Sequence, residues 1–186
     1  MNSLQKILLL GALTMLGVGG LAPHAQAQNA ADTAQRDGSH DFDFNIGTWR
    51  THIRTLTDAK TWTELNGTVT VRKIWGGKAS MEEIDARGPG QHLEGMTLFL
   101  YNPQSHQWSQ TFASTSDGIL ETPAIGGFKD GHGELIDQES YQGRMVLVRN
   151  QWSEIQPNSH HFEISFSTDN GRTWQPNFVA DLSRIQ

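Results

Sequence analysis

The 186-residue chain contains no cysteine. That excludes disulfides, thiolate catalysis and cysteine-ligated metals together, so a packed core must hold the fold. A lipidated signal, which needs a cysteine at the cleavage point, is excluded too. Basic residues are sparse: 14 Lys and Arg stand against 20 Asp and Glu, for a net charge of −6. Phosphate contacts need clustered cations, so nucleic acid is excluded as a natural partner. Long apolar runs are nearly absent. The one that exists, residues 7–21, follows Lys6 and precedes Ala25-Gln26-Ala27. It is too short and wrongly flanked for a membrane span, and it reads as a secretory signal peptide cleaved after Ala27. Removing residues 1–27 takes the charge to −7, because Lys6 is their only charged side chain. The expected product is periplasmic or secreted and has no transmembrane span. Also missing are a G-x-S-x-G elbow, a P-loop, an H-E-x-x-H and a G-x-G-x-x-G. No catalytic residue, metal ligand or cofactor is assigned on sequence grounds.

What remains is β pattern. Residues 28–39 are small and polar with no apolar period, and are expected to form a flexible leader. Residues 40–186 form one domain. Trp49, Thr51, Ile53 and Thr55 alternate with Arg50, His52 and Arg54. Leu65, Gly67, Val69 and Val71 alternate with Asn66, Thr68, Thr70 and Arg72. Period-2 segments continue to the end, broken by Gly76-Gly77, Asn102-Pro103, Ser116-Asp117-Gly118, Asp130-Gly131, Gln142-Gly143 and Pro157-Asn158. About nine or ten short strands joined by tight turns predict an all-β fold, a single antiparallel up-and-down β-barrel. Helix is confined to a turn before Gly47, with Asp41 or Asp43 as its expected cap.

Three features exceed generic patterning. Gly47-Thr48-Trp49 opens the first strand, and Arg184 stands late in the chain. This resembles the G-x-W and late basic residue of lipocalins and their calycin relatives, which implies a tryptophan plugging one end of the barrel under a guanidinium. Ser167-Thr168-Asp169-Asn170-Gly171-Arg172-Thr173-Trp174 is similar to the Asp-box of sialidases. A single copy in so short a chain implies a structural hairpin and no sialidase chemistry, with Ser167, Asp169, Gly171 and Trp174 its structural residues. The order of these motifs with Tyr101-Asn102-Pro103, Trp108 and residues 127–131 resembles an uncharacterised bacterial domain-of-unknown-function family with a calycin-like barrel. That resemblance implies a fold and carries no activity.

Candidate site residues come from charge and aromatics. Arg149 interrupts the apolar stretch 145–148. If it faces inward it needs a carboxylate partner, for which Glu83 is the candidate, or an anionic ligand. Glu82 and Glu83, being adjacent on a strand, point to opposite faces. Trp108, Trp152, Arg149 and Glu83 are the expected lining of a lumen that holds a small apolar or amphipathic molecule. The alternative is an envelope interaction protein without a small ligand. Weaker alternatives are a hydrolase or isomerase on a barrel scaffold and a haem-binding, nitrobindin-like barrel. The last needs a lumen-facing histidine, for which His161 and His132 are the candidates. With Trp49 as a plug, function is expected at the opposite mouth.

Overall fold

The computed structural model describes residues 36–58, 60–141 and 143–185. The expected signal peptide at 1–27, and the expected leader as far as residue 35, lie outside the described residues. Ten strands follow in order: β1 (Gly47–Leu56), β2 (Trp62–Ile74), β3 (Ala79–Gly88), β4 (Gln91–Asn102), β5 (Gln107–Ser114), β6 (Ala124–Lys129), β7 (His132–Tyr141), β8 (Arg144–Gln156), β9 (Ser159–Ser167) and β10 (Gln175–Arg184). Each pairs antiparallel with its sequence neighbour, and β10 pairs with β1 to close the barrel. Closure gives every described strand a neighbour on both sides, and the shortest ladder is β5 with β6, which pairs only Trp108, Ser109 and Gln110 with Gly126, Ile125 and Ala124.

The alternation sets which side faces in. On β1, Trp49, Thr51, Ile53 and Thr55 are buried while Thr48, Arg50 and Arg54 are exposed. Register carries that choice around the wall: Trp49 lies opposite Val69 of β2 and Arg184 of β10, and Ile53 lies opposite Leu65 and Ala180. A one-residue slip would turn every one of these side chains to solvent, so the apolar face itself fixes the register. The turns follow from residue type. At the β6–β7 turn Asp130 and Gly131 both take positive φ, +52° and +79°, as a two-residue hairpin requires.

Residues 38–46 fold across one end of the barrel. Phe42 drives into it, with ring centroids 4.7 Å from Phe99, 4.8 Å from Phe128, 4.9 Å from Trp152 and 5.0 Å from Trp108. The Gly38 carbonyl accepts the Trp108 indole N–H at 2.8 Å, and the Gly38 amide donates to the Tyr101 hydroxyl at 3.1 Å. The docked segment therefore begins at Gly38, ahead of His40. The turn before Gly47 is a three-residue 3-10 turn, Asp43–Asn45, and it has no side-chain cap. The acids expected to cap it have ion-pair partners instead: Asp43 takes Lys73 at 2.7 Å and His40 at 3.0 Å, and Asp41 takes Arg36 at 2.7 Å. So short a turn frees few amides, and fixed cations compete for the same carboxylates.

Candidate functional site

The closed end is built around Trp49, which is 0 % exposed. Its indole N–H donates to the Asn45 carbonyl at 2.8 Å. The Arg184 guanidinium lies 4.0 Å from the ring centroid. Its fork then donates to three carbonyls: Nη1 to Ile46 at 2.8 Å, Nη2 to Phe44 at 2.9 Å and Nε to Pro157 at 2.9 Å. One side chain thus ties the plug to β1 and to the β8–β9 turn. Gly47 has to be glycine because its φ is +136° and a Cβ would strike the Arg184 guanidinium. His160 stands edge-on to Trp49 at 4.6 Å and to Phe44 at 5.2 Å. Burial, then the charges of Arg184 and His161, lowers its pKa to about 4, so the ring is neutral at pH 7.

Between the plug and the opposite end lies a lumen cavity of about 90 Å³. Its walls are mostly apolar, with Val69, Ile84, Phe112, Phe162, Phe166 and Phe178 among them. Four carboxyl residues also line it: Glu82 from β3, Asp137 and Glu139 from β7, and Glu121 from the β5–β6 loop. No Lys or Arg does, among the described residues. Glu82 is held by two donors, the Thr97 hydroxyl at 3.0 Å and the Asn45 amide at 3.3 Å, while burial pushes its carboxyl up. Asp137 is 9 % exposed. Burial first, then the charges of Glu139 and Glu121, raises it to about 8. Its Oδ1 has no hydrogen-bond partner, and neither has Oε1 of Gln110, Oδ1 of Asn177 or Oγ1 of Thr51. All four residues line the cavity. Asn177 faces inward because a bulge shifts the β10 register between Pro176 and Phe178, which lets the consecutive residues Asn177 and Phe178 both reach the lumen.

Of the four lining residues expected from sequence, the structure brings only Trp152 to the cavity wall. Trp108 is buried in the plug against Phe42. Arg149 points outward. Its guanidinium covers the Trp174 ring at 4.3 Å, its Nε donates to Ser165 at 3.3 Å, and Glu134 and Glu163 lie at 3.9 and 4.0 Å. Glu83 also points outward, 4.0 Å from Arg72, so it does not partner Arg149. The physical reason is parity. Arg149 and Trp152 are three residues apart on one strand and cannot share a face, and with Trp152 inside, Asn150 and Val148 are inside with it. On β3 the same rule puts Glu82 and Ile84 in and Glu83 out. Asp137, Gln110, Asn177 and Glu82 were missed as lining residues. The alternation Leu135, Asp137, Glu139 holds a usable signal, since Leu135 is fully buried.

Among the described residues, the histidine on the lumen wall is His160. His161 faces out and meets Asp181 at 2.8 Å, and His132 is exposed beside the β6–β7 turn. A macrocycle does not fit a cavity of about 90 Å³. The described residues hold no cluster of three or more His, Cys, Asp or Glu able to bind a metal. The hairpin at 167–174 is held locally. Asp169 accepts the Thr173 hydroxyl at 2.7 Å and the Thr173 and Arg172 amides at 2.9 and 3.0 Å, and Ser167 accepts the Gly171 amide at 2.7 Å. Trp62 and Trp75 lie on the outer surface.

The fold defines a class: a closed, ten-strand, lipocalin-like antiparallel barrel. No family model and no curated protein sequence matches the chain. Solved structures do. The S-type phycobiliprotein lyase CPES from Guillardia theta aligns over 82 % of this chain and 94 % of its own, at TM-score 0.56 and 10 % identity. A de novo designed fluorescence-activating β-barrel covers 81 % of this chain and 100 % of its own, at TM-score 0.42 and 12 % identity. A DUF3598-family protein of unknown function from Nostoc punctiforme covers 81 % and 100 %, at TM-score 0.24 and 6 % identity. The first likeness is one of fold. The other two are too distant to carry an argument.

Proposed function

We propose that this protein is a small-molecule binding barrel whose site is the lumen above the plug. The observation that carries this is the cavity of about 90 Å³, walled mainly by aliphatic and aromatic side chains and dotted with unpartnered polar atoms. A barrel that served only as a scaffold would gain by filling that space, since voids forfeit packing energy and unpaired buried polar groups cost about 1–3 kcal/mol each. The volume is well below the roughly 300–1,000 Å³ of drug-sized pockets. The ligand is therefore small, with an apolar body and a few polar atoms. The apolar run at 7–21 and the Ala25-Gln26-Ala27 sequence support a periplasmic or secreted location.

Trp152 lies on the cavity wall and reports occupancy directly. The test combines native mass spectrometry of protein purified from its own host with titration of tryptophan emission by small aromatic and aliphatic compounds. A retained mass, or a saturable emission change that is lost in Phe178→Trp with its lumen filled, is the expected result. Protein that carries no mass and answers to none of the compounds would refute lumen binding.

A further inference from the structure

We propose that the lumen selects a protonated primary or secondary amine, its N–H groups on Asp137 and Asn177 and its apolar body against the phenylalanine wall. This rests on the lumen being a ligand site and names the chemistry of what enters it. Three observations converge.

The first is charge. Glu82, Glu121, Asp137 and Glu139 line the cavity, and no Lys or Arg lines it among the described residues. The histidine there, His160, sits in the plug with Trp49 and is neutral at pH 7. An anionic ligand would find no Lys or Arg to pair with in this lining, whereas an ammonium beside Asp137 favours its charged form, releases the proton that burial holds there to solvent and leaves a paired carboxylate.

The second is hydrogen-bond sense. Oδ1 of Asp137, Oδ1 of Asn177 and Oε1 of Gln110 are oxygens without partners. Asp137 is 9 % exposed and Asn177 is 4 % exposed, so water does not freely serve them. Amide and carboxylate oxygens accept. What they lack is a donor, and an ammonium group supplies two or three N–H groups with no acceptor of its own. The β10 bulge that adds Asn177 to the lumen makes this a built feature of the wall. A regular strand there would show Phe178 alone.

The third is the aromatic wall. Phe112, Phe162, Phe166 and Phe178 line the same space. Aromatic rings attract a desolvated cation, by about 2 kcal/mol where water is excluded. They also bury the methylene groups beside it.

The experiment is calorimetry at pH 7 on the full-length mature protein with three matched probes: hexylamine, hexanol and hexanoate. Hexylamine is expected to bind at least about tenfold more tightly than hexanol, with hexanoate weakest. Asp137→Asn, nearly isosteric, is expected to remove that preference. Asn177→Leu serves as a second variant with the same expected loss. If hexanol or hexanoate binds as tightly as hexylamine, the amine inference is overturned while lumen binding stands. If none of the three binds, both are overturned. Unchanged preference in the two variants would also overturn the assignment to Asp137 and Asn177.

Discussion

Removing Trp49 and Arg184 singly and together tests whether the closed end is one cooperative unit. Trp49→Ala deletes a fully buried indole whose N–H also bonds to the Asn45 carbonyl. A buried Trp→Ala change costs about 3–5 kcal/mol. Arg184→Ala strands the Phe44 and Ile46 carbonyls, which the guanidinium reaches in part-buried surroundings at 2.9 and 2.8 Å. At roughly 1–2 kcal/mol for each lost charge-assisted bond, the cost is about 2–4 kcal/mol. The two side chains also touch each other, 4.0 Å from guanidinium to ring centroid. A partly desolvated cation–π contact of this kind should appear as a coupling of about 1–2 kcal/mol in the double-mutant cycle. Urea denaturation of the wild type, both single variants and the double variant, with the slope m held constant, measures all three terms. Trp49→Phe is the milder arm if the alanine variant falls below the folding threshold. Coupling under about 0.5 kcal/mol would mean that the plug and the strap act independently, and would refute the unit. Arg184→Lys should recover little, because an ammonium cannot reproduce the three-carbonyl fork.

Asp137 carries a pH signature. Its folded pKa of about 8 lies above the ordinary 3.8, so the folded protein keeps a proton that the unfolded chain has released. Its stabilising contribution is full below pH 3.8 and is lost as pH rises toward 8, with a slope of up to about 1.4 kcal/mol per pH unit. Asp137→Asn should flatten the urea midpoint between pH 6.5 and 8, and an unchanged slope would refute the assignment. His160 works in the opposite sense: with a folded value of about 4 against 6.5, it removes stability as pH falls through that window, and His160→Phe should reduce the acid loss seen by circular dichroism. Gly47→Ala is expected to cost about 1–3 kcal/mol, from its positive φ and the crowding of Arg184, and a neutral result in thermal melts would show that the strap can move aside. Asp169, held at about 2 by the Thr173 hydroxyl and amide, contributes stability above pH 3.8 that is lost as pH falls toward 2. Asp169→Asn should therefore differ from wild type at pH 6 and match it near pH 2.

Much of the barrel is written locally. Alternation in residues 49–55 and 65–71, and turn residues at 102–105 and 130–131, imply antiparallel neighbours without knowledge of any distant contact, because period and turn chemistry act within a few residues. β5, Gln107–Ser114, lies between the breaks at Asn102-Pro103 and Ser116-Asp117-Gly118, and the break at Gln142-Gly143 falls between β7 and β8. The pairing of Gly47-Thr48-Trp49 with a late arginine is legible too, since a chain-end strap leaves a residue signature at each end. β6 carries a weaker local signal, because Gly126 and Gly127 interrupt its apolar pattern.

The lumen was decided elsewhere. Sequence by itself determined that the chain alternates, turns and carries its acids among apolar residues. Which parity faces inward on each strand followed only from closure, when the register from Trp49 through Val69 and Ile84 committed β3 to Glu82 and left Glu83 in solvent. The same closure set Trp152 inside and Arg149 outside on Trp174. Asn177 had no local signal, because a bulge inverts the alternation at that one residue. The convergence of Asp137, Gln110 and Asn177 on one cavity joins β7, β5 and β10, and strands that far apart in the chain meet only when the barrel shuts.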